Sequence, residues 1–304
     1  MEQKIQPLRF DPAQLNGLSQ KLVLSHHQNN YTGAVKRLNA IRAQLASLQF
    51  ATTPGFHLNG LKREELIATN SMLLHELHFG CLGATGQNMT PAMALALCAS
   101  FGSVERWQDE FVAMGKALAG GSGWVLLCFQ PRDGSLVNQW AADHAHAIAG
   151  AVPILALDMY EHAYHIDFGA QAGAWVDAFM QNIRWEAVYE RYQHAVHGAS
   201  EPFGAERSGI ADAQILDVRR AGMFEQDNQV IPGATWADPA AVSQWAPGLS
   251  QDRAIVVYCV YGHEVGRSTA MRLRAQGLEA SFLRGGIDGW KAAGLPLENK
   301  ARVS

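Results

Sequence analysis

Ile154-Leu-Ala-Leu-Asp158-Met-Tyr-Glu-His162-Ala-Tyr164 is an apolar run that closes on a carboxylate, with an imidazole four positions later. The run has the length and composition of a buried strand. Asp158 then stands at the strand's end and His162 in the turn beyond it, where both can point into one site. A carboxylate with an imidazole suits a hard or borderline ion, and iron, manganese and zinc are all acceptable on ligand type. More donors must come from elsewhere, and two earlier helical stretches offer them: His26-His27 and His75-Glu76-Leu77-His78. Eleven of the twelve histidines precede residue 200 and only His263 lies beyond it. On residues alone, metal binding and a set of buried, hydrogen-bonded histidines both stay open.

Working outward, Leu15, Leu18 and Leu22 and then Val35, Leu38, Ile41, Leu45 and Leu48 recur every three or four residues, as on one helical stripe. Thr53-Pro54-Gly55 breaks the pattern, and a second helical run from Lys62 to Phe79 ends at Gly80. Thr90 is placed to cap a helix that starts at Pro91, and Ser103 to cap the next, whose Trp107, Phe111 and Met114 form a core stripe. The period then changes. Residues 123–129 and 135–140 flank Pro131-Arg-Asp-Gly134 as a hairpin, residues 154–158 make a third strand, and Ala174 to His194 reads as one closing helix. Helices followed by a small antiparallel sheet make an α-helical hairpin plus an α+β domain. After residue 200, Ile215-Leu-Asp-Val218, Ala254-Ile-Val-Val-Tyr258 and Ala280-Ser-Phe-Leu283 alternate with helical stretches, the pattern of a small α/β domain.

The 304 residues are 48% hydrophobic and 17% charged, with a formal net charge of −4, enough apolar material for two cores. No basic excess suits a phosphate backbone, so nucleic acid is not an expected partner. No apolar run approaches membrane-spanning length and the N-terminal residues lack a signal-peptide core, so a cytoplasmic protein without membrane contact is the expectation. Cys81, Cys98, Cys128 and Cys259 are too scattered for a disulfide framework and read as free thiols.

Residues 7–195 resemble the iron/manganese superoxide dismutases. Asp158-Met-Tyr-Glu-His-Ala-Tyr164 is similar to that family's D-x-W-E-H-A-Y signature, and Leu74-His75 to Leu82 to its second ligand block. Ala99-Ser-Phe-Gly-Ser103, Gly121-Ser-Gly-Trp124 and Leu38-Asn39 match further blocks in order. The resemblance implies one iron or manganese ion per subunit, held by His26, His75, Asp158 and His162 with a solvent molecule completing the shell. It also implies dismutation of superoxide to O2 and H2O2. Where the family carries a Tyr eight residues after the first ligand, this chain has Ala34, and Tyr31 is the nearby candidate to compensate. His144 is the candidate partner of the bound solvent, ahead of Trp140 and His146. Glu161 and His165 are expected at a two-fold interface of a homodimer or homotetramer. His27 and His78 are read as neighbours of the ligands, and His57, His194 and His197 as surface residues.

Cys259 ends the strand Ala254–Tyr258, before a turn into a helix whose amides and N-terminus would favour a thiolate. Leu216-Asp-Val-Arg219, Ile231-Pro-Gly-Ala234 and Leu283-Arg-Gly-Gly-Ile-Asp-Gly-Trp290 resemble a rhodanese-like domain over residues 205–298. That resemblance implies a persulfide on Cys259 and a sulfane-sulfur donor as a second substrate. Glu264 stands where that family's loop usually has Arg, which predicts poor use of anionic donors such as thiosulfate. The expected division is a dismutase helical hairpin over 1–88, a dismutase α+β domain over 89–198, a linker over 199–204 and a rhodanese-like domain over 205–304. The alternative reading is a sulfurtransferase or sulfur/redox sensor with a poorly active, mainly structural metal domain.

Overall fold

The computed structural model describes residues 2–83, 88–210 and 212–300. Ser19 caps α1 (Gln20–Ser25) by accepting from the Leu22 amide, and α1 runs without interruption through a π-helical segment, His26–Tyr31, into α2 (Thr32–Ser47). The period-3.6 reading treats this as an ordinary helix. The extra residue of a π segment re-phases the turns after it, so His26 can face the sheet while Val35, Leu38 and Ile41 stay in the core. The next helix, α3 (Gly55–Cys81), does not stop at Gly80 as the sequence suggests. A Cβ on Gly80 would collide with the Arg191 guanidinium, so the glycine serves close approach instead of termination. Thr90 caps α4 (Pro91–Phe101) and Ser103 caps α5 (Val104–Ala117), both as read from sequence.

Next in the chain is an antiparallel sheet: β1 (Trp124–Gln130), β2 (Ser135–Ala141) and β3 (Val152–Asp158), in the order β2-β1-β3. The register sets Asp158 opposite Trp124. A short α6 (His165–Phe168) leads to α7 (Ala172–Gln181) and α8 (Trp185–Ser200). The single closing helix expected from periodicity is thus two. No Gly or Pro marks the break. It is made by tertiary bonds: Leu82 bridges Ile183, the Arg184 amide donates to Cys81 O, and the Asn182 side chain accepts the Asn16 amide.

The segment expected as a linker is built into the fold. Ser200 is buried at the end of α8, a 3-10 turn covers Glu201–Phe203, and β4 (Gly204–Ala205) joins the second sheet. Beyond it come β5 (Gln214–Asp217), α9 (Ala221–Gln226), β6 (Gln229–Val230), β7 (Thr235–Trp236) and α10 (Val242–Trp245). The chain ends with β8 (Ile255–Tyr258), α11 (Glu264–Ala275), β9 (Ala280–Leu283), α12 (Gly286–Ala292) and β10 (Glu298–Asn299). Five of these strands form a parallel sheet, β4-β9-β8-β5-β7, and β10 pairs with β6. The three strands read from sequence are its centre. The two-residue strands β4 and β7 are too short for a pattern to show.

The two sheets do not stand apart. Met271 of α11 is buried in the first domain's core, Arg272 donates to Ala99 O (2.7 Å) and Ser100 Oγ (2.8 Å) beyond it, and Gly134 of the β1–β2 turn lies against Ser268 and Met271. Among the described residues no helix is long and apolar enough to cross a membrane.

Candidate metal centre and cysteine loop

Four elements bring their donors together. His26 comes from the start of the π segment, His75 from the last third of α3, Asp158 from the last position of β3, and His162 from the 3-10 turn after it. Each offers one ligand atom, and all four atoms lie within 4.8 Å of one another. The Asp158 Oδ2 is 3.1 Å from His26 Nε2, 3.2 Å from His162 Nε2 and 3.6 Å from His75 Nε2. His26, His75 and Asp158 are buried, while His162 keeps about a quarter of its side chain exposed.

The surroundings fix the chemical state of these donors. The His75 Nδ1–H donates to Ser71 O at 2.6 Å, which leaves the lone pair on Nε2 facing the cluster. Burial pushes the His75 imidazole down to about 3 and lowers His26 as well, so both stay neutral near pH 7. Burial alone would raise the Asp158 carboxyl, but the neighbouring His162 and His26 hold it well below the usual carboxylate range. Its other oxygen accepts the Tyr160 amide at 2.8 Å, and Trp175 Nε1 donates to its main-chain oxygen. Three imidazoles and one carboxylate, converging on one point, are a donor set for one borderline ion.

Around this cluster the structure separates the remaining candidates. His144 is beside it: Trp124 Nε1 donates to His144 Nδ1 at 3.0 Å, and its ring is stacked on Tyr160, which is stacked in turn on His162 (4.8 and 5.3 Å). His146 instead accepts the Ala142 amide, and Trp140 is exposed. Tyr31 does not compensate for Ala34. Its hydroxyl donates to Glu76 Oε1 and accepts the Gln6 amide, both at 2.8 Å, and so faces the N-terminal arm. The place is left as a cavity of about 340 Å³ lined by Asn30, Ala34, Arg37, Ser71 and His144. His78 is fully buried behind the cluster, its Nδ1 bonded to Ala156 O and its ring stacked on Phe179. Glu161 and His165 are exposed.

Cys259 lies just beyond the end of β8, as expected. Its loop rests on the first turn of α12: the Ile287 and Asp288 amides donate to the Cys259 and Val260 carbonyls at 3.0 and 2.9 Å. Gly262 and Gly286 have φ of +70° and +58°, and a Cβ on either would strike backbone of the other segment. Asp217, Arg219 and Tyr258 form a buried hydrogen-bonded network that reaches the half-buried Asp227. The thiol is not tuned as the sequence suggests. Burial and the neighbouring Glu264 push it up, outweighing the pull of the loop's backbone groups. Glu264 is itself buried and bonded to α8, and His197, read as a surface residue, faces His263 at 5.7 Å between ring centres.

Known proteins resemble the chain in two stretches. Residues 89–191 match the model of the iron/manganese superoxide dismutase C-terminal domain, and residues 205–293 that of the rhodanese-like domain. A superoxide dismutase [Fe] of Cupriavidus metallidurans is 64% identical over 193 residues, covering 64% of this chain and 98% of the relative. A superoxide dismutase [Fe] of Aquifex aeolicus is 31% identical, covering 64% of this chain and 93% of the relative. A superoxide dismutase [Mn] 1 of Halobacterium salinarum is 32% identical, covering 64% and 96%. The cluster fits the one iron or manganese ion per subunit that this family binds. The chain therefore belongs to the iron/manganese superoxide dismutase family and carries a rhodanese-like domain after it.

Proposed function

We propose that this protein dismutates superoxide at an iron or manganese ion held by His26, His75, Asp158 and His162. The observation that carries the reading is the convergence of these four donors within 4.8 Å. Two superoxide anions and two protons give O2 and H2O2; the bound ion supplies the one-electron store between the two halves of that exchange. The chain's own residues set the conditions. Ser71 fixes the His75 tautomer, Tyr160 and Trp175 hold Asp158 in place, and the carboxylate is the only anionic donor of the four. His144 accepts from Trp124 at Nδ1, so its remaining proton sits on Nε2, available as a hydrogen-bond donor beside His75. Glu161 and His165 contribute to a two-fold interface of a homodimer or homotetramer, and the protein works in the cytoplasm. The dismutase part divides at 88/89, where its helical hairpin meets its α+β domain.

In the rhodanese-like domain, Cys259 carries a persulfide. The Cys259 thiolate attacks the outer sulfur of a sulfane donor, a new S–S bond forms, the donor's S–S bond breaks, and the donor's inner sulfur leaves with the electron pair. A thiol acceptor then removes the outer sulfur by the same exchange. The loop of glycines and backbone groups around Sγ supports this role.

Two variants test the assignment. His75→Ala is expected to lose both bound metal and turnover of superoxide generated by xanthine oxidase; retention of either contradicts it. Cys259→Ser is expected to keep dismutation within about twofold while persulfide labelling disappears. A second reading, a sulfur-handling protein with a poorly active metal domain, is favoured by the missing hydroxyl at Ala34 and the turned-away Tyr31. Fully metallated protein with turnover near background would establish it.

A further inference from the structure

Glu264 opens α11 one turn from Cys259 and is only 5% exposed. Both of its oxygens are taken by the dismutase domain's last helix. Tyr189 Oη donates to Oε1 at 2.7 Å and Gln193 Nε2 to Oε2 at 3.1 Å, and the Gln193 amide also donates to Tyr189 Oη at 3.1 Å. Tyr189 and Gln193 are four apart, so one face of α8 presents both. Neither is a cation, and among the described residues Glu264 has no ion-pair partner. Arg267, one turn along, is spent on Gly262 O (2.8 Å), Ser200 Oγ (3.2 Å) and Glu201 (2.9 Å). Neutral donors satisfy a buried carboxylate without cancelling its field.

We infer that the sulfur site is a composite of both domains: Tyr189 and Gln193 of α8 hold the Glu264 carboxylate in the wall of the Cys259 loop, and that charge makes the loop select uncharged sulfur donors over anionic ones. The direction in which Glu264 moves the thiol agrees with a charge acting on Sγ. The donor class this selects is the protonated organic hydropersulfide. Cys259 S⁻ attacks the outer sulfur of RSSH, a Cys–S–SH bond forms and RS⁻ leaves. Thiosulfate would bring two negative charges past Glu264, and its leaving group, sulfite, would carry them out again.

The inference rests on Cys259 being the loop's working sulfur, and it is tested without sulfur transfer. The full-length protein is alkylated in parallel with iodoacetamide, which is neutral, and iodoacetate, which is anionic, and the Cys259 peptide is quantified by mass spectrometry. Each reaction forms one S–C bond and releases iodide. Glu264→Gln is expected to raise the iodoacetate rate relative to the iodoacetamide rate by about tenfold, the effect of one uncompensated nearby charge. Tyr189→Phe with Gln193→Ala, which frees the carboxylate to reach solvent, is expected to move the ratio the same way and to speed amide exchange over residues 259–266. Melting temperature and metal content report that each variant is folded. An unchanged ratio in Glu264→Gln overturns the charge gate; a shift there but none in the α8 variant overturns the share of the dismutase domain. Persulfide loading of the wild type is read separately: its failure withdraws the sulfur-carrier role, while an unchanged ratio withdraws only the gate.

Discussion

Asp158 at the end of β3 and Cys259 at the end of β8 sit in equivalent places, each at or just beyond a strand's last residue on a turn into a helix. Their surroundings differ in kind. At Asp158, side chains from α3 and from the segments around His26 and His162 converge on the carboxylate, and main-chain groups hold His75 and Asp158 still. At Cys259 the loop is tied down by backbone and glycines, while its charged side chains are spent on α8 and on the 3-10 turn beyond it. The first site is built by converging side chains. The second is built by main chain, and its side chains belong to an interface between domains.

That contrast can be broken in three ways. The largest effect is expected from Gly286→Ala, because a Cβ there strikes the Cys259 and Val260 carbonyls and φ is +58°. Denaturant melts should show the rhodanese-like domain losing about 2–4 kcal/mol, with metal content untouched. A loss below about 0.5 kcal/mol would mean that the loop is not main-chain built. Next comes His144→Ala, which removes a donor beside the cluster but no ligand. Dismutation should fall about tenfold with metal retained, and loss of metal would move His144 into the ligand set.

The effect that is smallest near pH 7 concerns His78, pushed down to about 3 by burial. The folded chain keeps it neutral while the unfolded chain protonates it near pH 6.5. The metal-free protein therefore loses stability as pH falls from about 6.5 toward about 3. His78→Leu should flatten that decline by up to about 1.4 kcal/mol per pH unit. An unaltered slope in urea melts would show that the buried ring is not held neutral.

How much can be read from sequence depends on how local the cause is. Thr90, Ser103, the Pro131–Gly134 turn and the Asp158–His162 spacing act within a few residues, and the structure agrees with them. The π segment at His26 is hidden because nothing in its composition interrupts a helical stripe. The break at 182–184 is hidden because Cys81 and Leu82, a hundred residues away, make it. Gly80 reads as a stop until Arg191 is seen against it. Tyr31 reads as a substitute for the missing tyrosine until its hydroxyl is found on Glu76, and Glu264 reads as a simple repulsion of anions until α8 is found on it. Each of these depends on a contact distant in the chain, which spacing alone does not carry.

Metal content decides whether His26, His75, Asp158 and His162 hold a single redox-active ion. Elemental analysis of the protein purified from its native host, repeated on His75→Ala, tests it most directly. Close to one iron or manganese per chain, absent from the variant, is the expected result. A wild type that carries only zinc, or a variant that keeps its full iron or manganese, would contradict it.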